Sequence, residues 1–293
     1  MSRIVIIGAS AAGHTLAAKL REANKDNSIT LITEESYLAY DRRMLLDFVF
    51  GLIKEKELYL CDKDYYRDNN INFLSPVKVT GLNPQKKIVY CRDNEKSVNF
   101  NYDILIICSG RRFILPQIEG ARKPGVFNLN SLDDYKELAP YLIGDTVCLA
   151  GNNKFSWDMA RALAVRKKEV KLIAVAENPI PQPLEGIEVI NSQITEVIGE
   201  SQAQAIRLKE GKLIGVAAVI FAEELKSNAE FVKGAGLDIS SDYILVDNRM
   251  QTNIPDVYAC GQIARYKDSI NEEKSWNGII QEAQSLAETL LTS

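Results

Sequence analysis

The residues best suited to chemistry stand near the amino end, where Gly8-Ala9-Ser10-Ala11-Ala12-Gly13 follows directly on Ile7. This spacing suits a pyrophosphate. Gly8 allows a sharp turn, the small residues Ser10, Ala11 and Ala12 let backbone N–H groups come close to an anion, and Gly13 lets a helix pack tightly on the preceding strand. The helix dipole then faces the phosphates. Glu34 lies 26 residues beyond Gly8 and is followed by Glu35, where a carboxylate accepts the ribose hydroxyls of an adenosine. The single histidine, His14, excludes His-based metal sites and both Ser/His/Asp and Cys/His nucleophiles. It is expected in the first turn of the helix that follows the loop. The five cysteines, at 61, 91, 108, 148 and 260, contain no Cys-x-x-Cys, so they read as free thiols, with neither a zinc knuckle nor a local redox dithiol among them.

These groups need particular elements to position them. Arg3 to Ile7 is a short β-branched run expected of a strand buried on both faces in a parallel sheet. Leu16, Ala17 and Leu20 recur at helical spacing, and Ser28 to Ile32 forms the next strand. The 293 residues allow two domains, and 46% hydrophobic with 25% charged residues excludes disorder and fibrous repeats. With 35 Lys plus Arg against 39 Asp plus Glu, and no basic run longer than Arg166-Lys167-Lys168, nucleic acid is not an expected partner. No apolar stretch approaches the ~18 residues of a membrane span and no leader pattern opens the chain, so a cytoplasmic protein is expected.

Three further segments carry a resemblance. They are Glu34 to Arg42 with Arg43-Met44-Leu45, Tyr102 to Gly110, and Val257-Tyr258-Ala259-Cys260-Gly261-Gln262-Ile263-Ala264. Together with the phosphate loop they resemble the FAD- and NAD(P)H-dependent pyridine nucleotide-disulfide oxidoreductase superfamily over nearly the whole chain. The Tyr40-Asp41-Arg42 segment looks most like NADH:rubredoxin reductases and the flavin part of NAD(P)H nitrite reductases. The resemblance implies an α/β fold with two Rossmann-like nucleotide-binding domains, the FAD domain split by an inserted NAD(P)-type domain. The division it implies is 1–112 and 229–293 for FAD, and 113–228 for NAD(P). It also implies that Gly8, Ser10, Ala11, Ala12, Gly13, Glu34, Glu35, Arg42, Val79, Cys108, Ser109, Gly110, Gly261 and Gln262 line the FAD site. Arg42 would neutralise phosphate charge, and Gln262 would stand in for the carboxylate that meets the ribityl chain. Cys108 is expected to pack rather than react. The chain is also expected to lack the family's carboxy-terminal interface domain, leaving a surface for another polypeptide.

The middle of the chain departs from the pattern. Gly151-Asn152-Asn153-Lys154-Phe155-Ser156 keeps the first glycine of the second loop and replaces the other two with Asn153 and Ser156. Ala174 stands where the family has an acidic residue, with Glu177 three residues later, and Glu224 stands where it has glycine. A side chain at 153 or 156, or a carboxylate at 224, opposes a dinucleotide. No cysteine follows Arg42 where the disulfide reductases and peroxidases carry theirs, so the flavin, not a side chain, is expected to do the chemistry. The expected function is electron transfer from NAD(P)H or another donor through FAD to a small acceptor or a rubredoxin-like or other iron-sulfur protein, with no metal site and a degenerate NAD(P)H site. The alternative is a non-catalytic FAD- or nucleotide-binding subunit of a redox complex.

Overall fold

The computed structural model describes residues 1–144, 146–175, 185–267, 269 and 274–291. They cluster into two units, one comprising Met1–Arg42, Glu55–Arg111 and Ser227–Ser293 and the other Arg43–Lys54 and Arg112–Lys226. In chain order the parallel strands are β1 (Arg3–Ile7), β2 (Ser28–Ile32), β3 (Ile71–Leu74), β4 (Ile104–Ile107), β5 (Val126–Phe127), β6 (Thr146–Ala150), β7 (Glu169–Ala174), β8 (Ile187–Asn191), β9 (Ala218–Phe221) and β10 (Val257–Ala259). The three long helices are α1 (Ala11–Ala23), α2 (Lys154–Val165) and α3 (Trp276–Leu291).

The first unit is built on a parallel sheet in the order β10-β4-β1-β2-β3. The period of two along a strand explains why β1 is apolar from Ile4 to Ile7. Ile4 and Ile6 join Leu16 and Leu20 of α1 and Ala283 and Leu286 of α3 on one face. Val5 and Ile7 join Val89, Leu105 and Val257 on the other. Burying a side chain of this size contributes ~1.5 to 3 kcal/mol, so both faces hold β1 at the centre. Helix α1 stops where Arg21, only 4% exposed, folds its guanidinium back onto the carbonyls of Lys25 and Asn27, each at 2.6 Å, and Asn70 at 3.0 Å. Its charge is therefore solvated by main chain.

The second unit repeats the plan, with a parallel sheet in the order β8-β7-β6-β9-β5. In each unit a three-stranded antiparallel sheet precedes the parallel strand that returns beside the phosphate-loop strand: Lys78–Asn83, Ile88–Asp93 and Lys96–Asn101 before β4 in the first, and Ile194–Ile198, Ala205–Leu208 and Leu213–Gly215 before β9 in the second. Residues 43–54 group with the second unit, where Asp47 pairs with Arg166 and the Arg166 guanidinium lies 5.1 Å from the Phe50 ring.

Candidate functional site

In the first sheet β2 leaves β1 on one side and β4 on the other, so a crevice opens beyond the carboxyl ends of β1 and β4. Open α/β sheets bind ligands at this switch point. The Gly8 to Gly13 loop crosses it. Gly8 has φ +102°, and a Cβ there would lie 2.4 Å from the Cys108 carbonyl oxygen. A Cβ at Gly13 would lie 1.8 Å from the Gly8 carbonyl oxygen. Both positions therefore require glycine. Ser10 caps α1 in extended conformation without a side-chain hydrogen bond, and the first turn carries no acidic residue. The cap thus leaves the amino-terminal N–H groups of α1 for an external acceptor.

A pocket beside this loop is lined by Ala9, Ser10, Thr33, Glu35, Tyr37, Leu38, Tyr40 and Arg42. The Glu35 carboxylate in its wall accepts from the Tyr40 hydroxyl and from Arg42 Nη2, each at 2.5 Å. Arg42 also lies 5.2 Å from the Tyr40 ring centroid. Glu34 turns outward instead and pairs with Lys78 at 2.5 Å on the surface. Val79 sits in the antiparallel sheet opposite Cys91, packed on the other face of the parallel sheet. Of the two adjacent carboxylates, then, Glu35 belongs to the pocket. Tyr37 and Tyr40 lie in the segment that carries the resemblance, whereas Thr33 carries no signal beyond its nearness to it.

Beyond β4, Cys108 donates its N–H to the Ile7 carbonyl at 2.7 Å. Asn228 fixes the next two residues: its main-chain oxygen accepts from Ser109 Oγ at 2.7 Å, its amide donates to the Ser109 carbonyl at 2.8 Å, and its N–H donates to the Gly110 carbonyl at 3.0 Å. Beyond β10, Gly261 has φ +82° and abuts the first turn of α1, a Cβ there falling 3.4 Å from the Ala12 Cβ. The Gln262 amide donates through Nε2 to the Lys274 carbonyl at 2.7 Å. The structure thus brings the loops at 8–13, 108–110 and 260–262 to one sheet edge.

All five cysteines are free thiols, as the sequence reading expects, and they make two contacts that spacing does not show. Cys108 and Cys260 follow the paired residues Ile107 and Ala259 on neighbouring strands, and their thiols hydrogen-bond. The long separation in sequence concealed this. That hydrogen bond and burial push the Cys260 thiol well up, away from the thiolate that a redox nucleophile needs. Cys61 hydrogen-bonds to the Tyr66 hydroxyl, which also meets His14 Nδ1 at 2.9 Å. Burial pushes the Cys61 thiol up and the His14 imidazole down.

The matching edge of the second sheet is closed by its own side chains. Gly151, at φ +147°, is packed so that a Cβ would meet Ser156 Oγ at 2.4 Å and the Ala222 carbonyl oxygen at 2.6 Å. Asn153 caps α2, its Oδ1 accepting from the Ser156 N–H at 2.9 Å and the Ser156 hydroxyl at 3.0 Å. Its Nδ2 donates to the Ala222 carbonyl at 2.5 Å. Ser156 is fully buried beneath it. Lys154 is engaged by Asp158 on the surface, and Ala174 is buried at the end of β7. Glu224 is exposed, 3.8 Å from Lys226, and burial pushes the neighbouring Glu223 carboxyl up. Glu177 lies outside the described residues. Among the described residues no cluster of His, Cys, Asp and Glu could hold a metal, and no helix is long and apolar enough to cross a membrane.

Two doubly wound halves, one with an open phosphate loop, define a dinucleotide-binding protein. The family model of pyridine nucleotide-disulphide oxidoreductases matches residues 2–285, and the chain belongs to that family. Its members bind FAD and use NAD(P)H. The chain is 30% identical to an NADH oxidase of Methanocaldococcus jannaschii, over 93% of this chain and 65% of that protein. It is 27% identical to an NADH-rubredoxin oxidoreductase of Clostridium acetobutylicum, over 90% of this chain and 69% of the other. It thus spans about two thirds of the length of these relatives. Among solved structures, a covalent putidaredoxin reductase–putidaredoxin complex shares the fold, with a TM-score of 0.89 at 20% identity over all of this chain and 76% of that one.

Proposed function

We propose that this chain is an FAD-dependent oxidoreductase in which FAD occupies the first unit, electrons leave to a small acceptor or an iron-sulfur protein of the rubredoxin kind, and NAD(P)H is a poor donor. FAD, when bound, supplies the electron-transfer chemistry. The residues present fit it: the tight turn that Gly8 and Gly13 close against main chain and the uncapped amino end of α1 suit a pyrophosphate. Arg42 brings positive charge to the same pocket, Glu35 an acceptor for ribose hydroxyls, and Ser109 to Gly110 and Gly261 to Gln262 the remaining walls.

One contrast carries the reading of the donor. Helix α1 leaves its terminal N–H groups to a ligand, whereas Asn153 already takes up one of those of α2, the Ser156 N–H, and ties the loop to Ala222. The carboxylates of Glu223 and Glu224 add negative charge at the same edge, which disfavours an anionic dinucleotide. The same contrast favours the second reading, an FAD-binding subunit that receives no electrons from a nucleotide. The visible spectrum of the purified protein tests both. A yellow protein that prefers FAD to FMN, bleaches with dithionite and bleaches slowly with NADH or NADPH supports the proposal. Equal affinity for FMN and FAD sinks the adenosine contacts, and fast bleaching at low-micromolar NADH sinks the poor-donor reading. A flavin that dithionite reduces but that passes electrons to no acceptor, rubredoxin included, supports the subunit reading.

A further inference from the structure

Behind the Gly261–Gln262 turn lies an ion pair that neither the phosphate loop nor the ribose pocket uses. Glu282 of α3 and Lys274, just before that helix, meet at 2.6 Å with side chains 8% and 21% exposed. Between them they hold the Gly261 residue from both sides. Its N–H donates to Glu282 Oε2 at 2.7 Å and its carbonyl accepts from Lys274 Nζ at 3.1 Å. The Lys274 carbonyl accepts from Gln262, so the same residue also orients the next side chain of the turn. Cys260 Sγ lies 3.6 Å from Glu282 Oε2, and the Tyr266 hydroxyl hydrogen-bonds to the same carboxylate.

We propose that the Lys274–Glu282 pair positions the Gly261–Gln262 turn against the phosphate loop, and that Lys274 keeps the Glu282 charge from repelling the FAD pyrophosphate. The inference rests on the reading of the first unit as an FAD site. Gly261 faces the first turn of α1, where a Cβ added to it would lie 3.4 Å from the Ala12 Cβ, so a shift of the turn is felt at the phosphate loop. Breaking one half of a buried pair leaves the other charge uncompensated. Lys274→Met therefore strands a carboxylate close to the amino end of α1, where the anionic cofactor would bind. Removing that carboxylate as well should restore part of the affinity, because the charge is gone although the grip on the Gly261 carbonyl is not recovered.

The test measures FAD dissociation by flavin fluorescence in one buffer, with the visible circular dichroism of the bound flavin as a second reading. Lys274→Met should weaken FAD binding by about tenfold or more, Lys274→Arg should stay close to wild type, and Lys274→Met with Glu282→Gln should bind tighter than Lys274→Met alone. The dichroism should change in Lys274→Met and return in Lys274→Arg. A purely structural role would lower the thermal midpoint without this recovery in the double variant. If Lys274→Met does not fold, the nearly isosteric Glu282→Gln carries the test, with altered flavin dichroism expected and a wild-type signal overturning the idea. Unchanged affinity in Lys274→Met, or a double variant no tighter than the single, overturns the inference alone. A wild-type protein that takes up no FAD overturns the proposed function and this inference with it.

Discussion

Asn153→Gly should open the second nucleotide fold to NADH. In the wild type the Asn153 side chain makes three hydrogen bonds, two from Ser156 and one to Ala222. A pyrophosphate seated on α2 would have to displace them before it could use the helix amino end. Each contributes ~0.5 to 1.5 kcal/mol net, and because one side chain makes all three their loss is not additive. About 2 to 3 kcal/mol is a reasonable sum. Glycine keeps a helix cap to within a few tenths of a kcal/mol of asparagine but adds backbone freedom costing ~0.5 to 1 kcal/mol. The net gain for the dinucleotide is then ~1 to 2 kcal/mol, roughly five- to thirtyfold in affinity. Anaerobic stopped-flow reduction of the bound flavin over a range of NADH concentrations gives the half-saturating concentration for each protein. A wild type that saturates at low-micromolar NADH, or an Asn153→Gly variant with an unchanged half-saturation, would refute the claim that this side chain closes the loop.

Gly13→Ala should lose FAD and destabilise the first unit by about 1 to 3 kcal/mol or more, because the new Cβ meets main chain and no flexible side chain can yield; wild-type FAD titration and denaturation midpoints would contradict this. Replacing Cys108 and Cys260 together by serine, or Cys61 alone, should leave flavin reduction intact and change only stability. Loss of electron transfer in Cys61→Ser with full FAD content would show that the thiols take part. His14 is half-buried and desolvation lowers its pKa, so the folded state favours the neutral ring. The unfolded state then binds more protons, and stability is complete above the ordinary value of 6.5 and falls as pH drops below it. His14→Gln should flatten that fall in denaturation midpoints measured between about pH 7.5 and pH 5.5, and equal slopes for the two proteins would rule the residue out.

Local signals carried most of what the sequence could show. The apolar run Arg3 to Ile7 and the loop after it follow from period and glycine spacing, because a strand buried on both faces and a turn against main chain leave few alternatives. The segments that resemble the oxidoreductase family end up at one sheet edge for the same reason: each directly follows a parallel strand. What sequence could not show depends on long-range register. Cys108 and Cys260 meet because β4 and β10 are neighbours in the sheet, and Glu282 reaches Gly261 because α3 packs beside α1 on the sheet. No spacing rule connects such residues. The choice between Glu34 and Glu35 was equally hidden, since it turns on Lys78 drawing one outward while Tyr40 and Arg42 hold the other in.

The two halves share the arrangement of the four inner strands and the antiparallel insert, differing in where the chain supplies the edge strand, so their difference in ligand must come from a few side chains at the helix entrances. A helix begins with N–H groups that its own turns cannot satisfy. Ser10 leaves them to whatever binds, which makes the amino end of α1 attractive to an anion. Asn153 satisfies the corresponding group of α2 within the chain and anchors the cap to the adjacent strand through Ala222. Any anion arriving there exchanges one set of hydrogen bonds for another and gains little. This exchange, rather than a missing fold, is the physical reason to expect tight FAD binding in the first half and weak NAD(P)H binding in the second. It follows that the affinity of the second half should respond to the side chain at 153 more than to restored charge at Lys154, whose ammonium is already engaged by Asp158.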